Sequence, residues 1–556
     1  MNNFLRGVLI FFLLVTAFFL LGLLFWLYHC HCCARQKPYQ GEVTSAPLNR
    51  ATAEPQHPRG KYPPYQIPKD RVPNEDRPRI VPTGPQRGTL APSVGGSKLE
   101  QIQKQKPAGG AGDPVVVTQY NPQGTSASVG TPPDPNAARN GNVIMLSYNT
   151  RVMLSTNGGT NYTELDPTTI FPSGPTKDAA GNPLDNGLCC DQIFRYAPRI
   201  DRFVWLMQFC GTGTGGCLTG INKVRIASAS TQDVVNGAGA TGWTYWDLAS
   251  ATFNLGNTTM DYPDLAVGDN FLYFSADAVS QGLLVVRIPL NEIRDSQTIN
   301  MGYTAPSNGT KTDGSTAYGS HVSQNPGDTL FWAGSPKNTQ IRVFSMAEGS
   351  HQYSSHDVDI DSWPNGTVKL NAPDGVDNFS FGWPGNAVTG ATRRTNNEVW
   401  FAWNTSSNTN FKNAHIEVVE INTSNFNKIA QWQIWNDAYG FVDPYLVTNG
   451  NGEVGIALAW GGADTNPSNY ISHAVGILGD FIVWYPELST ASPVASQIRL
   501  GDYFSVSRNP ANSLLYDASG YAVLKQPAPA TGWYFDPYYI QFGRDSVAHG
   551  GTPGVH

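Results

Sequence analysis

The chain has little charge and few of the side chains that do most acid–base and metal chemistry. Of its 556 residues 14% are charged, and it holds 10 histidines and 7 cysteines. No histidines recur at metal-ligand spacing and no H-E-x-x-H string occurs, which excludes the helix-borne zinc site of many hydrolases. A phosphate-cradling G-x-x-x-x-G-K-[ST] loop is also missing, as is any sequence context for a Ser-His-Asp triad. Helical periodicity is nearly absent after residue 141, so an α-rich fold is excluded. Basic residues are scarce in the same region: residues 141–556 carry 21 Lys/Arg against 35 Asp/Glu. Phosphate backbones attract basic surfaces, so nucleic acid is excluded as a partner.

One long hydrophobic run is present, the 21 residues Val8–Tyr28. As a helix it is long enough to span a bilayer at about 1.5 Å per residue. The following "WLYHCHCCARQ" offers no small-residue cleavage site, so residues 1–35 read as a retained signal anchor. Cys30, Cys32 and Cys33 lie just beyond the run, where acylation is common. Residues 36–140 carry proline every few positions and 13 Lys/Arg against 8 Asp/Glu. Such a composition buries too little apolar surface to offset its ordering entropy, so a disordered Pro-rich stalk is expected. The whole reads as a single-pass membrane protein with its head, 141–556, on the extracytoplasmic side.

The head is a succession of short β-rich runs such as "RFVWLMQF", "LLVVRIPL" and "EVGIALAW", punctuated by Gly, Asn, Asp and Pro. One layout recurs: a polar start, a short strand, a turn, then a stronger apolar strand. It begins near residues 190, 262, 319, 386, 443 and 501. Repeats at such intervals fit four-stranded units, and the expected fold is all-β, a six-bladed β-propeller. The strand material at 141–166 has no complete unit of its own. It is expected to complete the last blade as an N-terminal hairpin, closing the ring and removing sheet edges. The 13 tryptophans of the head suit packing between blades.

Within that hairpin "MLSTNGGTNYTEL" places Ser155, Asn157, Gly159 and Tyr162 in the order S-x-[DN]-x-G-x-x-[WFY]. This is an Asp-box with Asn157 where Asp is usual. Gly158 and Gly159 permit positive φ, and the Asn157 side chain can bond nearby amides. With the repeated sheets, the motif makes the head resemble the sialidase-like (BNR-repeat) propeller superfamily. The resemblance implies that the box marks the fold and lies away from the active site. A sialidase would also need an arginine triad, a Tyr–Glu pair and an Asp. The F/Y-R-I-P signature is absent; the nearest string, "FRYAP", holds Arg195, and no catalytic residue carries over.

Ligand-binding candidates come from Asp and Tyr at the blade starts: Asp191, Tyr262, Asp264, Asp443, Tyr445, Asp502 and Tyr503. A ring of such groups at a channel mouth suits sugar hydroxyls or Ca2+, and paired carboxylates there would suit glycoside hydrolysis. The alternative is structural, with each Asp bonding the next blade's backbone. No motif requires a cofactor. Cys189, Cys190, Cys210 and Cys217 are disulfide candidates with three possible pairings, Cys210–Cys217 stapling the Gly-rich "CGTGTGGC" loop. The function expected first is recognition or adhesion: binding of a glycan or a surface protein. The alternatives are a glycoside hydrolase of sialidase-like fold and a structural envelope component.

Overall fold

Apolar runs of five to ten residues broken by turn formers cannot satisfy their backbone alone, so they pair antiparallel in chain order. A computed structural model describes residues 39–52, 65–66, 79–83 and 114–120 and, with short internal gaps, 133–544. Residues from Gly41 onward form one compact unit. Among the described residues the α-helices are short (Thr231–Asn236 and Leu290–Asp295), and no helix is long and apolar enough to cross a membrane. The Val8–Tyr28 anchor and Cys30, Cys32 and Cys33 lie outside the described residues.

The strands form six hydrogen-bonded sheets, one of them eight-stranded. That sheet contains two successive groups, 260–304 and 329–359, joined by Tyr39–Asn49 between their outer strands. Among the described residues six sheets therefore hold seven groups of strands, and the expected count of six blades is not confirmed. Residues 136–165 do not complete the last group: Asn136–Asn140, Val143–Ser147, Val152–Ser155 and Asn161–Leu165 pair with one another as a sheet of their own. Each of the six recurring starts opens one of the remaining groups.

Hydrogen bonds between neighbouring inner segments trace a closed ring, as in a β-propeller. Arg195 of the second group donates to the Leu265 carbonyl of the third at 2.9 Å. Gln324 of the fourth reaches the same carbonyl at 3.0 Å, and its own amide donates to Ala391 of the fifth at 2.9 Å. Thr392 meets Thr448 of the sixth at 3.0 Å, and Tyr516 of the seventh donates to the Glu453 carbonyl at 2.9 Å. Arg139 of the first group donates to Tyr539 of the seventh at 3.2 Å, and Arg195 donates to Asn136 of the first at 2.9 Å, which closes the circle.

The cores lie between successive sheets. Met145, Leu154, Trp205 and Trp243 fill the space between the first and second groups, and Trp363 and Trp403 meet in that between the fourth and fifth. Strands packed on both faces need apolar residues at every position. Val454–Gly461 is buried along its whole length, which explains the unbroken run "VGIALAWG".

The segment 36–140 departs from the expected stalk wherever it is described. Ala51–Thr52, Tyr65–Gln66 and Arg79–Pro82 each add a strand to the outer edge of a four-stranded group. Pro114–Tyr120 supplies the fourth strand of the last group, the place expected for the 141–166 hairpin. Composition argues correctly that the segment has no core of its own. An open sheet edge offers backbone donors and acceptors irrespective of side-chain pattern, and this is what orders it.

Candidate functional site

Four of the groups enter their inner strands through a register slip, and in three of them the extra residue is left-handed. The register slips at Cys190/Gln192, Asp261/Asp264 and Val442/Tyr445, leaving Asp191, Tyr262 and Asp443 at φ of 40°, 50° and 54°. One residue in the left-handed region absorbs each extra position. The neighbouring group holds two of these bulges: the Asp191 amide donates to Asn149 Oδ1 at 2.9 Å and the Asp443 amide to Asn404 Oδ1 at 2.8 Å. Asp191 and Asp443 are thus tied to the preceding group, and Tyr262 stacks on His321 with ring centroids 4.8 Å apart. Asp502 and Tyr503 lie outside the described residues.

Beyond the bulges the chain brings two of the expected residues together with one that had no assigned role. Tyr445 donates its hydroxyl hydrogen to Asp264 Oδ1 at 2.6 Å. Arg195, from the "FRYAP" string, donates from Nη2 to the Tyr445 hydroxyl and lies 3.4 Å from Asp264 Oδ1. Gln324 Nε2 approaches Asp264 Oδ2 at 3.2 Å. All three of the core members are buried, at 4% (Tyr445), 1% (Asp264) and 5% (Arg195) exposure. Burial pushes the Tyr445 pKa well above the ordinary tyrosine value; Arg195 pulls it down and Asp264 raises it further. The phenol is therefore protonated at neutral pH, with an acceptor and a cation already in place. His321 packs edge-on to Tyr445 at 5.5 Å, and its own burial holds its pKa below the ordinary histidine value.

A cavity of about 620 Å3 opens where the inner strands run into their first turns, and Arg195 and Gln324 belong to its wall. Arg139, Arg199 and Arg508 line it too, with Asp269 the one carboxylate in the lining among the described residues. The Arg508 guanidinium has no hydrogen-bond or ion-pair partner among the described residues. The head is acidic overall, yet its charges are segregated, and this concavity is cationic. Guanidinium groups of this number favour a carboxylate or another planar anion.

The Asp-box turn forms as its residues suggest. Ser155 Oγ accepts from the Gly159 amide at 2.8 Å and donates to Asn157 Oδ1 at 2.9 Å, while Asn157 Oδ1 accepts from the Asn161 amide at 2.9 Å. Gly158 and Gly159 take φ of 73° and 94°, and Tyr162 is fully buried. A Cβ on Gly158 would come within 4.0 Å of Arg139 Nη2, so the turn lies beside a cavity arginine. The cysteines pair as Cys189–Cys190 and Cys210–Cys217, one of the three pairings open from the sequence.

No protein-family model matches the chain, and no characterised protein matches it in sequence. Solved structures do resemble it. The GH93 α-L-arabinofuranosidase of Fusarium graminearum with arabinobiose aligns at 12% identity over 73% of this chain and 92% of that one, with a TM-score of 0.32. The Penicillium chrysogenum α-L-arabinanase with arabinobiose aligns at 11% identity over 76% and 97%, with a TM-score of 0.34. The Trypanosoma rangeli sialidase with 2,3-difluorosialic acid aligns at 10% identity over 66% and 57%, with a TM-score of 0.32. These proteins are glycoside hydrolases, and none of them supports the expected adhesion or recognition module.

Proposed function

We propose that this chain is a glycoside hydrolase of β-propeller fold that acts on a carboxylate-bearing sugar. The observation that carries the reading is the 2.6 Å hydrogen bond from Tyr445 to Asp264 with Arg195 against the same hydroxyl. A phenol next to a carboxylate acceptor is one of the nucleophiles used for glycosyl transfer, in place of a second carboxylate. As Tyr445 Oη bonds to the anomeric carbon the glycosidic C–O bond breaks; the tyrosine proton passes to Asp264, and the departing oxygen takes a proton from solvent. Arg195 offsets the negative charge that develops on the phenolic oxygen. Water then bonds to the anomeric carbon as the bond to Tyr445 breaks, one water proton going to solvent while the Asp264 proton returns to Tyr445. Arg195 also belongs to the cavity wall, but its donors are engaged by Leu265, Asn136, Phe194, Asp264 and Tyr445, so the substrate anion is held by Arg139, Arg199 and Arg508 of the same wall. The cavity volume is in the range of small-ligand pockets, roughly 300–1,000 Å3.

The test is a panel of fluorogenic glycosides of sialic acid, glucuronic acid, arabinofuranose and glucose, run on the wild type and on Tyr445→Phe. Turnover is expected on one of the two acidic sugars, falling by roughly 10²–10⁴-fold in the variant, the range of a lost positioned proton-transfer group. No turnover of any glycoside would overturn the proposal. So would equal rates in the two proteins, which would leave the cluster a structural one.

A further inference from the structure

The cysteine cluster lies apart from the Tyr445 site, and its geometry exceeds what two disulfides require. The Sγ atoms of Cys189, Cys210 and Cys217 all lie within 4.8 Å of one another, and Cys190 is bonded to Cys189. Four sulfurs thus share one small volume. In a tetrahedral thiolate site with metal–sulfur bonds of about 2.3 Å, sulfur atoms stand roughly 3.8 Å apart. Reaching that arrangement requires the two bonded pairs to part on reduction and the longer separations, up to 4.8 Å, to close by about 1 Å, shifts that cysteine side-chain rotation can supply.

The backbone holds the cluster without help from the sulfur–sulfur bonds. Cys210 donates its amide to the Gly187 carbonyl and the Asn186 amide donates to Cys210, both at 2.8 Å. Across the loop, the Gly211 amide bonds to the Cys217 carbonyl and that of Gly213 to Thr219, again at 2.8 Å. Cys189 sits at the register slip that starts the second group's inner strand, between Leu188 and Cys190. Reduction would therefore leave three thiols presented beside these backbone hydrogen bonds and the register slip.

We propose that these cysteines form a redox-exchangeable site for a soft divalent cation of the zinc class. Oxidised, they hold two disulfides; reduced, Cys189, Cys210 and Cys217 ligate the ion and Cys190 or a water completes the tetrahedron. Each disulfide takes two electrons and two protons from one molecule of a dithiol reductant, which leaves as its own disulfide. Each thiol that binds the cation then releases its proton. Thiolates select such a cation over Mg2+ or Ca2+, which take oxygen ligands.

The experiment uses the full chain carrying Cys30→Ser, Cys32→Ser and Cys33→Ser, so that the four head cysteines are its only thiols. After reduction and removal of the dithiol without oxygen, Co2+ is titrated in and thiolate-to-metal absorption is followed. Saturation at one ion per chain, reversed by Zn2+ and absent when Cys210→Ser and Cys217→Ser are added, is the expected result. No thiolate absorption in the parent, or unchanged absorption in the variant, would overturn the site. Should the variant fail to fold, alkylation of the parent decides. Zn2+ is expected to protect Cys189, Cys210 and Cys217 from iodoacetamide, and full modification in its presence would refute the proposal.

Discussion

Replacing Asp264 with Asn would test whether the central cluster is an ion pair that the ring depends on. The carboxylate faces donors alone: Tyr445 at 2.6 Å, Arg195 at 3.4 Å and Gln324 at 3.2 Å. An asparagine amide must turn its NH2 toward one of them, so one donor–donor contact is unavoidable. Arg195, at 5% exposure, also loses the carboxylate nearest its guanidinium. Removing one partner of a buried ion pair costs about 3–5 kcal/mol, and the misplaced amide lies within that figure. Arg195→Gln should be costly as well, because its hydrogen bonds to Leu265, Asn136 and Phe194 go with it. The double variant should be more stable than the sum of the single losses by about 2–3 kcal/mol, since neither charge is then stranded. Urea unfolding followed by tryptophan fluorescence gives all four corners of the cycle. A loss below about 1 kcal/mol for Asp264→Asn, or strict additivity, would refute the ion-pair account.

Other perturbations follow from the same contacts. Ser155→Ala strips the buried Gly159 amide of its acceptor and should cost about 1–3 kcal/mol in the same unfolding assay. Asn157→Asp keeps both accepted bonds and makes them charge-assisted, so it should add about 0.5 kcal/mol at neutral pH. That gain should disappear as pH falls through the new carboxylate's depressed folded-state pKa, which a pH series of melting temperatures would show. Burial pushes the His473 pKa down to about 3, so the folded chain keeps it neutral while the unfolded chain protonates it below about 6.5. Stability should therefore fall as pH falls in that window, by about 1.6 kcal/mol between pH 6.5 and 5, and His473→Gln should flatten the slope. A Cβ on Gly520 would stand 2.0 Å from the His473 ring, so Gly520→Ala should lower the melting temperature, at a cost of about 1–3 kcal/mol.

The candidate site was legible in pieces. Asp264 and Tyr445 stood out because Asp and Tyr recur at the starts of repeated units, and they are in contact. Arg195 was visible in "FRYAP" but lacked a motif, since nothing local to it reveals a partner 250 positions away. The same recurrence picked out Asp191 and Asp443, which serve the joints between groups. Sequence spacing marks the bulge and does not say which side chains meet beyond it.

What the sequence determined by itself was local. Turn formers and apolar runs set the strands, and the Asp-box closes through bonds spanning no more than four positions, from Ser155 to Gly159 and Asn157 to Asn161. Such contacts depend on the order of neighbours, which a reader of the chain can see. Tertiary structure alone decided how many groups the ring holds and that the Pro-rich segment adds strands to its rim. It also joined Tyr445 to Asp264 across 181 positions. These outcomes depend on which sheet edge is left open and which inner strand faces which across the axis. Both are fixed when the ring closes, by contacts between residues far apart in the chain, such as Arg195 with Leu265 and Arg139 with Tyr539, whose pairing no local pattern reveals.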